Sequence, residues 1–449
     1  MNVPVVYLII SIILIILLTS RLKVHPFVVL LLVALAYGFF TGMPLELIIT
    51  SINEGFGDTL KKIGLLIVLG VIIGAFLENS GGAYALAEKV LRMIGKKRVP
   101  TAMGIIGYVV SIPVFADSGF ILLSPINKSL PKKAGISLAG PAVALGLGLT
   151  ATHVLVPPTP GPVAAAGILD ADLGLVVIMG VVVSALSLIP GLFFAIRYAS
   201  RTYIDPVPEI KDEEITDRMK DAPGALRSAL PIAVPILLIL LKSIFPSSDE
   251  APDSSMEKII SFMGEPFIAL LIGMFLSLLL PKKLDKSMLS TSGWAGKALR
   301  DAAIIILITG AGGIFGKVLQ NSGIAEMLGE TLGRINLSIW LPFILAAAIK
   351  TAQGSSTVSL ITTASIMMPI MGTLGFDTEI EKALVVAAIG TGSAVFSHAN
   401  DSFFWVVTQL SGMDVKTGYR LWSAGTAILG ISGGVVLYIM SFIISTLQN

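Results

Sequence analysis

The chain has 449 residues, of which 54% are hydrophobic and only 13% are charged. A soluble globular domain carries about 25% charged residues, so this composition excludes a soluble globule and indicates a polytopic membrane protein. The formal net charge of +2 is too small to indicate nucleic-acid binding, and the absence of cysteine excludes disulfides and thiolate metal sites.

Apolar runs of about 20 residues, the length needed to cross the hydrocarbon layer, define the predicted elements of the first half. They predict spans at 3–19, 25–41, 59–77 and 173–196, a re-entrant hairpin at 101–125 and a broken span at 136–168. Both flanks of the hairpin are basic, which indicates that it enters and leaves from the cytoplasmic side. The loop with Arg21 and Lys23 is predicted to be cytoplasmic by the same rule, so the N-terminus is predicted outside.

A polar stretch at 201–225, predicted to be a cytoplasmic linker, divides the chain into repeats at 1–200 and 226–449. The second repeat is predicted to hold spans at 226–245, 259–280, 302–319 and 419–444, a hairpin at 338–369 and a broken span that contains His398. The loop at 247–255 and the flanks of this hairpin are acidic, which predicts the opposite orientation and an outside C-terminus.

One sequence word occurs in both halves. LENSG at 77–81, which predicts a helix C-cap with its glycine, returns as LQNSG at 319–323. Together the halves predict an all-α polytopic membrane protein with an inverted-topology repeat of five spans plus one re-entrant hairpin each, with broken helices. This organisation is typical of secondary transporters, which bind substrate at the repeat interface near the bilayer midplane.

Polar residues interrupt the apolar runs at 111–120, 150–162, 350–357 and 397–402. The N-terminal end of each half-helix presents free N–H groups and a partial positive charge, which together can receive a carboxylate. Alternatively, the hydroxyls there satisfy unwound backbone or tighten helix packing. The candidate substrate-binding residues are Ser111, Ser118, Gly119, Thr152, His153, Thr159, Gln353, Gly354, Ser355, Ser356, Thr357, His398 and Asn400.

Asp117 and Asp401 lie at the predicted depth of the membrane centre, where an unpaired charge is costly, and Lys350 lies at the interruption of the second hairpin. We assign proton coupling to Asp117, Asp401 and Lys350. The alternatives are a permanent pair between a carboxylate and Lys350, a carboxylate that caps a half-helix, or a lysine that snorkels at the hairpin mouth.

The chain is similar to the GntP family of gluconate and related hydroxy-acid permeases. The sequence motifs that carry this similarity lie at 55–57, 63–67, 78–82, 113–120, 153–162, 350–357 and 397–405. The resemblance implies import of gluconate, or of a related acid such as glycerate, a hexuronate or D-serine, by proton symport across a bacterial inner membrane. By analogy with the wider ion-transporter superfamily, it also implies an elevator-like motion in a homodimer.

Three other functions stay open. Broken-helix carbonyls with Ser, Thr and Asn also form sodium sites, so sodium-coupled transport of a carboxylate or D-serine is an alternative. A channel needs a continuous polar pore, whereas the polar groups here cluster at the breaks. A membrane enzyme is opposed by the absence of H-E-x-x-H and G-x-S-x-G motifs. We therefore expect a transporter with no cofactor and no metal.

Overall fold

In a computed structural model, the described residues 3–95, 98–207, 222–244, 255–324 and 338–448 form helices without a β-strand. The first half contains α1 (Val3–Ser20), α2 (Pro26–Phe40), α3 (Leu45–Asn79), α4 (Gly82–Ile94), α5 (Val99–Val110), α6 (Ala116–Ala134), α7 (Ala139–His153), α8 (Pro160–Leu169) and α9 (Leu173–Arg197). The second half contains α10 (Ala225–Ile244), α11 (Ser255–Met263), α12 (Pro266–Leu278), α13 (Trp294–Asn321), α14 (Trp340–Gln353), α15 (Ser356–Met367), α16 (Glu379–Ala394), α17 (Ser402–Leu410), α18 (Val415–Gly418) and α19 (Ala424–Gln448). A π-helical turn, Tyr419–Ser423, joins α18 to α19.

Helix length and apolarity make the chain a multi-pass membrane protein. Five helical segments of the described part are long and apolar enough to cross a bilayer, and the bent pair α11 and α12 gives a sixth. The helices α1, α2, α5, α8 and α15 are apolar but shorter. The prediction of five spans in each half depends on counting such shorter helices, singly or in broken pairs, as crossings.

The helices break where the sequence predicted polar interruptions. Gaps separate α5 from α6, α7 from α8, α14 from α15 and α16 from α17. In the second gap α7 ends at His153, and α8 starts with Pro160 and Pro162 in its first turn. Proline is tolerated there because the first N–H groups of a helix make no intrahelical hydrogen bond. The predicted C-cap of α3 is also confirmed, with Ser80 as the cap and Gly81 in the left-handed region.

Two predicted boundaries are wrong. The first hairpin was expected to end at Pro125, but α6 continues to Ala134 and contains Pro125 and Pro131. Prolines are tolerated in membrane helices because neighbouring groups satisfy the freed carbonyls. The span expected at 59–77 is only the second part of α3, which starts at Leu45. Most of the predicted linker at 201–225 and of the predicted loop at 247–255 lies outside the described residues.

The helices pack in two groups. The long-helix group consists of α2, α3, α12 and α13, in which α3 and α13 run along each other. They approach closely at Gly55 and Gly313, because a Cβ on Gly55 would lie 2.6 Å from the carbonyl oxygen of Gly313. The broken-helix group consists of α5 to α8 and α14 to α17, and it is backed by α9 and α19.

Within the broken-helix group, helices of one half of the chain pack against helices of the other half. The second helix of each hairpin packs against the second part of the other half's broken span, so that α15 meets α8 and α6 meets α17. The pair α8 and α15 also packs against the long helices α3 and α13. Neither α6 nor α17 has a comparable contact with these two long helices in the described structure.

Candidate functional site

A cavity of about 320 Å³ lies where the four helix breaks meet, and its volume falls in the usual range of small-molecule sites. It is lined by Phe115, Ala116, Asp117, Thr150, His153, Val154, Lys350, Gln353, Gly354, Ser355, Ser356, Thr357, Ala394, Ser397, Asn400, Asp401, Ser402, Phe403, Trp422 and Thr426. The predicted residues that it brings together are Asp117, His153, Lys350, Gln353, Gly354, Ser355, Ser356, Thr357, Asn400 and Asp401.

The other candidate residues lie outside this lining, and several of them bind backbone. The hydroxyl of Ser111 donates to the carbonyl of Val114 at 3.0 Å. Thr152 Oγ1 donates to the carbonyl of Tyr108 at 2.9 Å, and Thr159 Oγ1 to that of Val156 at 2.6 Å. These three hydroxyls satisfy unwound or terminal backbone carbonyls, as in the alternative to substrate binding given above. Ser118 and Gly119 follow Asp117 on α6, beyond the lining.

His398 fastens the second hairpin rather than facing the cavity. Its Nε2 lies 2.6 Å from the carbonyl oxygen of Thr351, and a carbonyl can only accept, so Nε2 donates. The imidazole stacks on Tyr419 with the ring centroids 6.3 Å apart. Asn400 Nδ2 donates to the carbonyls of Thr351 and Ala352 at 2.9 and 3.0 Å. The α16–α17 break therefore holds the hairpin tip through its carbonyl groups.

A buried ion pair joins the two breaks of the second half. Lys350 Nζ lies 2.6 Å from Asp401 Oδ2, and their side chains are only 3% and 8% exposed. Ser397 Oγ also donates to this carboxylate oxygen, and the indole N–H of Trp422 donates to Ser397 Oγ at 2.9 Å. Asp401 Oδ1 accepts from the backbone N–H of Phe403 at 3.1 Å and so caps α17. Both carboxylate oxygens of Asp401 therefore have protein partners.

Asp117 and His153, which both come from the first half, keep free polar atoms. Asp117 Oδ2 lies 3.4 Å from the hydroxyl of Ser402, while its buried Oδ1 has no hydrogen-bond partner among the described residues. His153 Nδ1 is buried and equally without a partner, with Phe115 beside the ring. A bound molecule could satisfy both atoms.

Three half-helices start at the cavity and differ in the charge at their N-termini. Asp117 lies in the first turn of α6, and Asp401 caps α17. The helix α15 has no acidic residue in its first turn and is capped by Ser355, whose Oγ accepts from the N–H of Val358 at 3.3 Å. The first N–H groups of a helix have no intrahelical acceptor, so Ser356 and Thr357 offer donors to an anion at this end.

Sequence reasoning missed some of the lining. Ser397 and Ser402 belong to the predicted polar word but were not among the candidates. Trp422 and Thr426 lie in the π-helical turn and in α19, inside an apolar run, and no polar interruption marks them. A π turn often occurs at functional sites, but it cannot be recognised from apolar spacing.

A sequence model of the GntP permease family, described as "GntP family permease", matches residues 3–443. The chain belongs to this family. The inner membrane permease YgbN of Escherichia coli K12 is 36% identical, covering 95% of this chain and 96% of that protein. A gluconate permease of Pseudomonas aeruginosa is 34% identical over 97% of each chain. The GntP permease is therefore a transporter and not an enzyme.

The chain also shares its fold with a solved transporter. The crystal structure of Alcanivorax borkumensis YdaH covers 93% of this chain and 99% of its own, with a TM-score of 0.63 and 16% identity. At that identity the likeness concerns the fold alone. Within this fold the cavity of the permease reaches the surface beside α17, where Asn400 and Ser402 are exposed.

Proposed function

We propose that this permease imports gluconate or a related small hydroxy-carboxylate by proton symport across a bacterial inner membrane. The observation that carries the proposal is the pairing, in one cavity, of an acid-free half-helix N-terminus at α15 with the unpartnered carboxylate oxygen of Asp117. The first feature suits an anion, and the second suits a proton. The gluconate permease of P. aeruginosa among the relatives supports the substrate class.

The charges of the cavity give the reason for coupling. Its charged side chains are Lys350, Asp117 and Asp401, so with a neutral His153 the site carries one net negative charge. A carboxylate substrate would add a second negative charge in a poorly solvated place, which is unfavourable. Because Lys350 already pairs with Asp401, a proton on Asp117 is the simplest neutralisation. The sugar-acid hydroxyls would then meet His153, Gln353 and Asn400.

The packing supports the predicted elevator motion. In the proposed topology the acidic turn at Asp170 and Asp172 is outside and the ends of α6 and α17 are cytoplasmic. The outer pair α8 and α15 lies against the long helices, while the inner pair α6 and α17 does not. We therefore propose that the structure is open to the cytoplasm and that the broken-helix group slides along the long-helix group. The inverted repeat, the homodimer and the outside termini belong to the same proposal.

Uptake into proteoliposomes tests the function. Gluconate, glycerate, a hexuronate and D-serine are offered with an inward proton gradient, with an inward sodium gradient or with neither. We expect concentrative uptake of a hydroxy acid driven by the proton gradient alone. Uptake driven by sodium alone, or preference for D-serine, whose ammonium group could pair with Asp117, would identify the alternatives.

The variant Asp117→Asn tests the proton carrier. It removes the titrating group and keeps a polar side chain of the same size, so we expect it to lose accumulation driven by the pH gradient but to retain exchange of substrate across the membrane. Full pH-driven accumulation by this variant would exclude Asp117 as the carrier. Asp285→Asn, a substitution in an exposed loop, is the matched control and should accumulate substrate normally.

A further inference from the structure

The ammonium group of Lys350 lies among oxygen atoms at the unwound end of α14. Its Nζ donates to the carbonyl oxygen of Gly354 and lies 2.6 Å from Oδ2 of Asp401. The C-terminal end of a helix carries a partial negative charge on its free carbonyl groups. The ammonium group therefore sits between a helix C-terminus and a carboxylate, almost fully buried.

Carbonyl oxygens of an unwound helix end, with a nearby carboxylate, are also the ligands that bind coupling cations in broken-helix transporters. Here protein donors already occupy two further carbonyls of the tip. Thr351 and Ala352 accept from the side chains of His398 and Asn400. Lys350 adds the one positive charge that a bound cation would bring.

In the first hairpin, two carbonyls near the break accept from uncharged side chains. At the end of α5 the carbonyl of Tyr108 accepts from the hydroxyl of Thr152, and that of Val114 accepts from Ser111. Among the described residues that line the cavity, the positive charge thus lies at the tip of the second hairpin, where it faces Asp401.

We infer that Lys350 is a resident cation that takes the place of a coupling ion, and that removing its side chain opens a site for a small monovalent cation between Gly354 and Asp401. The inference rests on the proposed function for the identity of the cargo and for coupling to protons instead of sodium, whereas the Tm test below depends on neither. Removing one partner of a buried ion pair leaves an uncompensated charge, and a diffusible cation of suitable size can compensate it. The wild-type permease, in contrast, needs no sodium.

A thermal test needs no substrate. Wild type, Lys350→Ala and Lys350→Met are purified, and Tm is measured with increasing sodium, methylammonium or choline chloride at constant ionic strength. We expect Lys350→Ala to gain stability with sodium or methylammonium but not with bulky choline. In Lys350→Met an apolar chain fills the space, so this variant and the wild type should respond to none. An equal response of all three proteins, or none from Lys350→Ala, would overturn the inference.

Gluconate uptake gives a second test. Lys350→Ala is expected to lose roughly 100-fold in uptake in choline medium, because its buried carboxylate is unpaired. Addition of methylammonium should raise uptake by Lys350→Ala about tenfold, because methylammonium binds the folded state. A sodium requirement of the wild type would refute the inference. If the wild type carries no gluconate, the proposed cargo is wrong, while the Tm data still decide the role of Lys350.

A third variant keeps the test decisive if Lys350→Ala does not fold. Lys350→Gln/Asp401→Asn removes both charges and keeps groups that can hydrogen-bond, so we expect it to fold and to show no cation effect on Tm. If Lys350→Ala does not accumulate in the membrane, methylammonium during expression should restore it. Failure of that rescue while the double variant folds, or a sodium response of the double variant, would contradict the resident-cation role.

Discussion

Gly354 lies where the second hairpin touches the α16–α17 break. Its φ of 95° is disfavoured for any residue with a Cβ, and a Cβ there would lie 2.2 Å from the carbonyl oxygen of Asn400. We expect Gly354→Ala to push the break away from the hairpin tip and to weaken substrate binding about tenfold, the effect of strain of 1–3 kcal/mol at a functional site. The measurement is KM for uptake together with Kd for the purified protein.

Gly375 provides the control for this substitution. Its φ is 77°, but nothing lies within 4 Å of a Cβ built on it. Gly375→Ala should therefore introduce backbone strain of about 1–2 kcal/mol, which lowers Tm without a change in KM. Equal KM values for the two variants would show that the contact with Asn400 is not required for binding.

Individual site residues were predictable from the sequence where they interrupt an apolar run. This rule found Asp117, His153 and Lys350, because a polar group inside a membrane span stands out by composition alone. It did not separate residues that line the cavity from residues that satisfy backbone, such as Thr152 and Thr159. That distinction depends on which way a side chain points at a break, and spacing carries no such information.

The cap of α15 is the element on which anion binding is proposed to depend. Ser355 Oγ accepts from the N–H of Val358 and so stabilises the first turn, in which Ser356 and Thr357 line the cavity. We expect Ser355→Ala to lower stability by about 1 kcal/mol and to raise KM for the carboxylate about fivefold, because the donors become less ordered. Uptake kinetics and thermal unfolding measure the two effects.

The capping box of α16 gives a matched comparison. Thr378 Oγ1 accepts from the N–H of Glu381 at 3.3 Å, in a part of the chain that does not line the cavity. Thr378→Ala should lower Tm by a similar amount and leave KM unchanged. A rise of KM in both variants would mean that general destabilisation, and not the α15 terminus, weakens binding.

Element positions were predictable and element lengths were less so. The four breaks follow from clustered polar residues and prolines, which a membrane helix rarely accepts in its interior without help from neighbours. That same help explains the error at α6, where Pro125 and Pro131 stay inside the helix. The start of α3 was missed because its first turns are too polar for the hydropathy rule.

At the scale of the whole molecule, an ion pair joins the long-helix group to the broken-helix group. Lys62 of α3 lies 2.7 Å from Asp170 at the end of α8. The hydrogen bond from Lys62 lowers the pKa of the Asp170 carboxyl, outweighing the opposite effect of burial. The stabilisation is thus complete above the ordinary aspartate pKa of about 3.9 and is lost as the pH falls through the lowered value. At neutral pH the pair is intact.

We therefore expect Asp170→Asn to weaken the contact between the end of α8 and α3 at neutral pH. An exposed pair is worth about 0.2–1 kcal/mol, so hydrogen exchange of the α8 amides should rise by up to about fivefold. Wild type should approach the variant only at strongly acidic pH. Asp414→Asn, in a loop away from this contact, removes a carboxylate whose pKa is lowered by Thr417, and it should leave α8 exchange unchanged.

Relative sliding of the two helix groups can be tested with a disulfide, since the chain has no native cysteine. A Cβ on Gly312 of α13 would lie 2.8 Å from Oγ of Ser365 on α15, close to the roughly 3 Å between a Cβ and its partner's sulfur in a disulfide. We expect oxidised Gly312→Cys/Ser365→Cys to stop uptake and reductant to restore it, because the bond joins the long-helix group to the broken-helix group.

The control pair Gly82→Cys/Ser228→Cys has a matching distance of 3.2 Å and joins the first residue of α4 to α10. It should transport when oxidised. Normal uptake by the fully oxidised α13–α15 pair would rule out sliding at this interface.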